Sequence, residues 1–167
     1  MARDTAADTG QRIVILGGTS GIGLATARLG AARGAEPILV GRDPQRLAAD
    51  ASGGTIVFLA GTGTRRPAVG LAVTAAMNEA AEALVKGLAV ELAPARVNMI
   101  AAGFVDTPLS AALLGDQLDE RRAELHATLP IRRVVQPEDV AELALHLMAN
   151  TAITGGVYDI DGGEQLL

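Results

Sequence analysis

The sequence has no cysteine, no tryptophan, one tyrosine and two phenylalanines among its 167 residues. The lack of cysteine excludes a disulfide framework and a thiolate metal site. The two histidines, His126 and His146, stand apart on helical patterns, so we expect a packing or surface role for them and no metal site. Hydrophobic residues still make up 49% of the chain, so the core has to be built from alanine, valine, leucine and isoleucine.

An excess of basic residues is also missing, since 14 Lys and Arg face 19 Asp and Glu for a net charge of −5. This balance argues against a nucleic-acid partner. No apolar run approaches the length of a membrane span, and the first eleven residues lack the apolar middle of a signal peptide. We therefore expect a cytoplasmic protein without membrane contact, with a flexible tail over residues 1–11 and one domain over 12–167.

The most informative stretch runs from Arg12 to Gly34 and has the pattern of a buried strand, a glycine-rich turn and an amphipathic helix. Gly17, Gly21 and Gly23 follow the strand at a G-x-x-x-G-x-G spacing. A β-carbon at this turn would obstruct a pyrophosphate, and one near the helix start would hold helix and strand apart. The helix N-terminus favours an anion, so the motif predicts nucleotide binding. Glycine-rich joints of this kind also occur without a ligand.

Apolar runs and helical patterns alternate along the rest of the chain. We predict further strands at 37–41, 55–60, 96–101 and 153–160, and helices at 43–50, 71–92, 109–129 and 137–149. Such alternation is typical of an α/β protein with a doubly wound parallel sheet and helices on both faces.

These motifs resemble the short-chain dehydrogenase/reductase family. The glycine turn is similar to its TG-x-x-x-GIG motif, with Leu16 in place of threonine, and similarity continues through Glu82–Leu109 and Leu129–Gly163. The resemblance implies a Rossmann-type fold, an NAD(H) or NADP(H) cofactor, and hydride transfer between nicotinamide and a carbonyl or alcohol substrate. Because family members commonly pair through the long helix and last strand, it also implies a homo-oligomer.

The resemblance assigns cofactor contacts to two parts of the chain. The residues expected at the pyrophosphate and adenosine ribose are Gly17, Thr19, Ser20, Gly21, Ile22 and Gly23. Those expected at the nicotinamide are Gly103, Val105 and Thr107. Arg42 follows the second strand and would suit a 2′-phosphate, which favours NADP(H), although the neighbouring Asp43 leaves NAD(H) possible.

The catalytic residues of the family have no counterpart here. The resemblance implies a serine and a Tyr-x-x-x-Lys pair, but Gly61, Thr74 and Asn78 stand at those positions. Threonine has no useful acidity near neutral pH, so the usual proton relay is absent unless the substrate or solvent supplies the acid. Asn78 could still donate a hydrogen bond to a ribose hydroxyl. The alternatives to an oxidoreductase are a catalytically inactive nucleotide-binding protein, acting as a sensor or partner subunit, and a folded remnant without a ligand.

The family also places a further pair of strands between the second strand and Thr55, and this sequence lacks them. A direct connection from Arg42 to Gly54 would have to cross at least two strand spacings, and its crossover would reverse sense. Two hypotheses stay open: either the sequence omits a segment of the protein, or the segment is truly deleted and the sheet is rearranged. The handedness rule favours the omission, and the Cα–Cα spacing from Ala49 to Ile56 would distinguish the two.

Overall fold

A computed structural model describes residues 12–16, 21–40 and 54–167 of the chain. Its elements in chain order are β1 (Arg12–Leu16), α1 (Gly21–Ala32), β2 (Glu36–Val40), β3 (Thr55–Gly61), α2 (Ala72–Glu91), β4 (Arg96–Ala102), α3 (Pro108–Leu114), α4 (Leu118–Thr128), α5 (Pro137–Ala149) and β5 (Val157–Ile160). The expected tail over 1–11, the expected helix over 43–50 and part of the Ala49–Ile56 stretch lie outside the described residues.

Every strand pairing is parallel, as the alternation of strands and helices predicts. Among the described residues the strands form two sheets, one in the order β1–β2 and the other in the order β3–β4–β5. Ile13 is paired with Pro37 in the first sheet, and Val57 with Asn98 in the second. Among the described residues no strand pairing joins the two sheets, and the family resemblance implies a further strand between β1 and β3.

The central strand of the larger sheet, β4, is covered on both faces because its side chains alternate between two helices. Val97, Met99 and Ala101 pack with Val85 of α2. Ile100 faces the opposite side and belongs to the cluster formed by α5. The continuous apolar run of the sequence is thus the signature of a doubly covered strand.

Helix α5 also connects the two sheets. Leu145 on this helix packs in a cluster with Ile13 and Ile15 of β1 and Ala27 of α1. Leu147, two residues further on, belongs instead to the cluster around Ile100. The smaller sheet is therefore held against the larger one through opposite sides of one helix.

Two element boundaries differ from the sequence-based expectation. The helix expected over 109–129 is divided into α3 and α4 at Gly115, where φ is +52°. The strand expected from 153 begins only at Val157, because Gly155 turns with φ +72° and donates its N–H to the Val97 carbonyl at 2.7 Å. Glycines with positive φ interrupt both elements, which apolar periodicity alone does not reveal.

Candidate functional site

A cavity of about 300 Å³ opens where β3 and β4 end. Its lining brings together the three positions at which the family resemblance implies catalytic residues, Gly61, Thr74 and Asn78. Gly103, expected at the nicotinamide, lies on the same lining. The structure thus brings these four residues together on one lining.

The geometry of helix α2 explains this arrangement. Thr74 and Asn78 are four residues apart, so they lie one above the other on one face of the helix. Thr74 is exposed at the cavity, whereas Asn78 is buried. The Gly61 N–H, at the end of β3, approaches the Asn78 Oδ1 at 3.4 Å.

The other polar atom of Asn78 has no partner among the described residues. The residue is only 8% exposed, and its Nδ2 makes no hydrogen bond. This amide group lies beside the glycines at the end of β3, where a β-carbon on Gly61 would be 3.4 Å from it and one on Gly63 would be 3.6 Å from it. A buried donor without an acceptor is costly, so Asn78 is an unsatisfied polar group beside the cavity.

Proton-donating groups are scarce on this lining. Its titratable residues, among those described, are Arg66, Arg121 and Glu164. Glu164 forms an ion pair with Arg121. Burial lowers the pKa of Arg121, but the carboxylates of Glu124 and Glu164 outweigh burial and raise this pKa above its ordinary value. Tyr158 does not line the cavity, and its ring lies against Gly156. Among the described residues of this lining, none therefore replaces the tyrosine and lysine of the family's proton relay.

Three further predicted cofactor positions, Gly21, Ile22 and Gly23, lie at the N-terminus of α1. Gly21, with φ +52°, opens the helix, and Ile22 and Gly23 complete its first turn. A β-carbon on Gly21 would lie 3.5 Å from the Thr107 methyl group, so the turn and the loop after β4 are neighbours. The exposed N–H groups of a helix N-terminus suit a phosphate, as the sequence motif predicts.

Two residues of the loop after β4 also have structural roles. The Val105 side chain is 5% exposed and packs in the core, which leaves only its main chain for a ligand. The Thr107 Oγ1 accepts the Ser110 N–H at 3.2 Å and caps α3. Their cofactor roles stay predictions, and any contact by Val105 has to come from its backbone.

Gly103 is required for close packing. A β-carbon there would lie 2.6 Å from the β-carbon of Asp161, closer than such atoms approach. Asp161 in turn holds the turn after β5, since its carboxylate accepts the N–H groups of Gly163 at 2.8 Å and Gln165 at 3.0 Å. Gly103 thus lets the loop after β4 pass directly beside the closing turn.

Several predicted residues cannot be placed. Gly17, Thr19, Ser20 and Arg42 lie outside the described residues. The preference for NADP(H) that depends on Arg42 is therefore untested by the geometry.

Sequence reasoning did not single out four residues of the cavity lining: Arg66, Phe104, Arg121 and Glu164. Arg121 of α4 pairs with Glu164 and lies 6.0 Å from the centre of the Phe104 ring. These contacts join α4 to the turn after β5 across a long stretch of chain, so no local pattern announces them. The arginine doublet Arg65–Arg66 is a visible signal, because two adjacent cations stand in the loop that follows β3.

Within residues 12–16, 21–40 and 54–167 no group of three or more His, Asp or Glu side chains is placed to hold a metal ion. No helix in them combines the length and apolarity needed to cross a bilayer.

Comparison with known proteins gives a consistent result. A profile of the family described as Enoyl-(Acyl carrier protein) reductase matches residues 45–165. The chain is 30% identical over 139 residues to the short-chain dehydrogenase/reductase malC of Malbranchea aurantiaca, covering 83% of this chain and 53% of that protein. It is 33% identical over 133 residues to the short-chain dehydrogenase/reductase ATR9 of Stachybotrys chlorohalonatus, covering 78% and 51%. The chain thus spans about half the length of these relatives.

Solved structures show the same fold. A small-chain dehydrogenase in complex with NADPH superposes with a TM-score of 0.83 at 24% identity, over 95% of this chain and 100% of that one. The MalC reductase/Diels-Alderase from Malbranchea aurantiaca superposes with a TM-score of 0.85 at 22% identity, over 99% and 100%. Both matches extend across the whole of the other chain, which confirms the doubly wound α/β class.

Proposed function

Because this chain belongs to the short-chain dehydrogenase/reductase family, we propose that it binds a nicotinamide dinucleotide and transfers hydride between that cofactor and a carbonyl or alcohol substrate. The observation that carries the proposal is the buried Asn78 Nδ2, which lacks an acceptor at the cavity. We assign NADP(H) as the favoured cofactor and NAD(H) as the alternative. The NADPH in one structural neighbour supports a dinucleotide of this kind.

The described residues fit the two ends of such a cofactor. The N-terminus of α1, from Gly21 to Gly23, would face its phosphates, with Thr107 alongside. Asn78 would donate to a ribose hydroxyl and so acquire the acceptor that its amide lacks. The bound cofactor supplies the hydride or accepts it. Thr74 would then lie at the substrate side of the cavity, where its hydroxyl can orient a substrate oxygen but does not supply a proton at neutral pH.

Titration of NADPH and NADH, followed by nucleotide fluorescence, tests this proposal. We expect saturable binding, with an affinity reduced roughly five- to hundredfold in Asn78→Leu, because that variant keeps the volume and loses the donor. Met77→Leu is the matched control, since Met77 is on the same helix but 68% exposed and away from the cavity. No binding of either nucleotide at millimolar concentration would refute the proposal.

A second candidate function is that of a nucleotide-binding protein without turnover, acting as a sensor or a partner subunit. The lack of a neutral-pH acid among the described lining residues favours it. Turnover of a panel of carbonyl compounds with NADPH distinguishes the two functions. If the unaltered chain binds NADPH without turnover and the double variant Thr74→Tyr, Asn78→Lys gains it, the missing relay is the cause.

Self-association and location are further proposals. Four large apolar side chains of α2 are exposed, and three of them, Val73 at 74%, Met77 at 68% and Leu84 at 51%, lie along one side of the helix. Such a surface suits pairing of two copies through α2, in agreement with the homo-oligomer that the family implies. Sedimentation of Met77→Glu tests it, with dissociation to monomers expected. A cytoplasmic location also stays a proposal.

A further inference from the structure

The arginines of this protein differ in the acceptors that their guanidinium groups contact. Arg65 donates hydrogen bonds to the Asp159 carboxylate from its Nε at 3.0 Å and its Nη2 at 3.2 Å. Arg122 donates hydrogen bonds to the Asp106 carboxylate from the same two atoms, at 2.9 and 2.8 Å. In both cases the Nε–Nη2 edge, whose two parallel N–H groups match the two oxygens of a carboxylate, is filled by an acidic side chain.

Arg66 keeps that edge free among the described residues. Its Nη1 donates to the Glu164 main-chain carbonyl at 3.2 Å, and no hydrogen bond or ion pair involves its Nε or Nη2. The single contact tethers the side chain to the turn after β5 without neutralising its charge. Arg66 is thus an exposed cation that one hydrogen bond holds to this turn, with its Nε–Nη2 edge open among the described residues.

The Nε–Nη2 edge of Arg66, which we call the Arg66 fork, lies at the candidate site. Arg66 lines the cavity that holds Thr74 and Asn78, and it also lines a neighbouring cavity of about 270 Å³. The other charged side chains around the two cavities are Arg121, Glu124 and Glu164, and Leu167, the last residue of the given sequence, also lines the smaller one. Arg121 pairs with both carboxylates, and no acidic side chain among the described residues forms a hydrogen bond or ion pair with Arg66.

We propose that Arg66 is a specificity-determining residue that binds the carboxylate of the substrate. This inference rests on the proposed function, because the cofactor ribose at Asn78 leaves the part of the cavity around Thr74 and Arg66 for the substrate. The substrate class is then a small keto or hydroxy acid, with its carboxylate on the Arg66 fork and its reacting oxygen toward Thr74. A neutral ketone of the same size would leave the fork unfilled.

Binding of levulinate, a small keto acid, and of its uncharged methyl ester tests the proposal on the full chain by calorimetry, with and without NADP⁺. We expect the acid to bind about tenfold or more tightly than the ester, and Arg66→Gln to lower the affinity for the acid to that for the ester. Arg132→Gln is the matched control. Arg132 also donates only to a main-chain carbonyl, that of Ala127, but lines neither cavity.

Equal affinities for acid and ester in the unaltered chain would overturn the proposal, as would equal losses in the Arg66 and Arg132 variants. Competition by inorganic phosphate and titration of NADPH test the alternative that Arg66 binds a phosphate of the cofactor and not the substrate carboxylate. If phosphate displaces levulinate and Arg66→Gln weakens NADPH binding as much as levulinate binding, the fork serves a cofactor phosphate and the assignment is wrong. If the chain binds the acid more tightly than the ester but does not bind NADPH, the proposed function is refuted, while the binding of a carboxylate by Arg66 is retained.

Discussion

The two halves of the molecule contain the same kinds of elements but differ in how their sheets are covered. In the half formed by β3, β4 and β5, five consecutive residues of β4 are buried between α2 and α5. In the half formed by β1, α1 and β2, Ile13 and Ile15 are buried on one face of the strand while Val14 on the other is 49% exposed. The half formed by β3, β4 and β5 has its own core, and we call it the supporting half. The half formed by β1, α1 and β2 depends on α5 for much of its burial, and we call it the dependent half.

In the part of the chain that the structure describes, each of the two sheets ends in strand edges without a ladder partner. Among the described residues, β1 and β3 each pair with a strand on one edge and with none on the other. An unpaired edge leaves N–H and C=O groups without ladder partners, and the exposed Leu59 on β3 adds apolar surface there. This arrangement agrees with a strand missing between β1 and β3. It fits both an omitted segment and a true deletion, so those hypotheses stay open.

The largest effect is expected from removing the contact that joins the halves. Leu145→Ala deletes a side chain that is 1% exposed and packed on β1 and α1, at a cost of about 2–5 kcal/mol. Hydrogen exchange should accelerate in β1, α1 and β2 and stay slow in β4. The matched variant Leu147→Ala lies on the same helix but in the other cluster, so it should accelerate exchange in both halves. Identical exchange patterns in the two variants would contradict the division of the molecule into a supporting and a dependent half.

A smaller effect is expected from a polar link inside the supporting half. Asn98 on β4 is completely buried, donates to the Ile153 carbonyl at 3.0 Å and accepts the Gly156 N–H at 3.1 Å. Asn98→Ala leaves both groups unsatisfied, so we expect a loss of about 1–3 kcal/mol in denaturant unfolding. Because the dependent half rests on this one, both halves should unfold together. Retention of unaltered stability, or separate unfolding of β4 and β5, would oppose this account.

The smallest effect concerns the start of α5, the helix that both halves share. The Asp139 Oδ2 accepts the Gln136 N–H at 2.8 Å, and the hydrogen bond from Arg133 holds the pKa of Asp139 below its ordinary value of 3.8. Asp139→Asn should cost about 1 kcal/mol at neutral pH. Since the folded pKa is lowered, the difference from the unaltered chain is complete above the unfolded pKa and disappears as pH falls through the folded one. A difference that persists unchanged at acidic pH would show that the charge is not involved.

Much of the fold follows from local pattern. The apolar runs at β3 and β4 and the alternating helices are sufficient to predict a parallel α/β sheet, because a strand covered on both faces has to be apolar throughout. The division into two sheets follows from pairing partners far apart in the chain, which periodicity does not contain. The early end of the helix at Gly115 and the late start of β5 depend on glycine conformations that a neighbouring contact selects.

The candidate site was predictable to a similar extent. The family resemblance singled out Gly61, Thr74 and Asn78, and they line one cavity because a strand end and a helix turn fix their spacing. It did not indicate Arg66, Arg121 or Glu164, which meet only when the loop after β3, the helix α4 and the turn after β5 come together. The charge pattern at the substrate side is thus a tertiary property.

The central claim is that the N-terminus of α1 and the Asn78 cavity bind two ends of one dinucleotide, and hydrogen exchange with and without NADPH tests it most directly. We predict that NADPH slows exchange in the first turn of α1 and in the loop beginning at Gly61, with exchange in α4 less affected. Exchange that is unchanged in both places by millimolar NADPH and by millimolar NADH would contradict the claim.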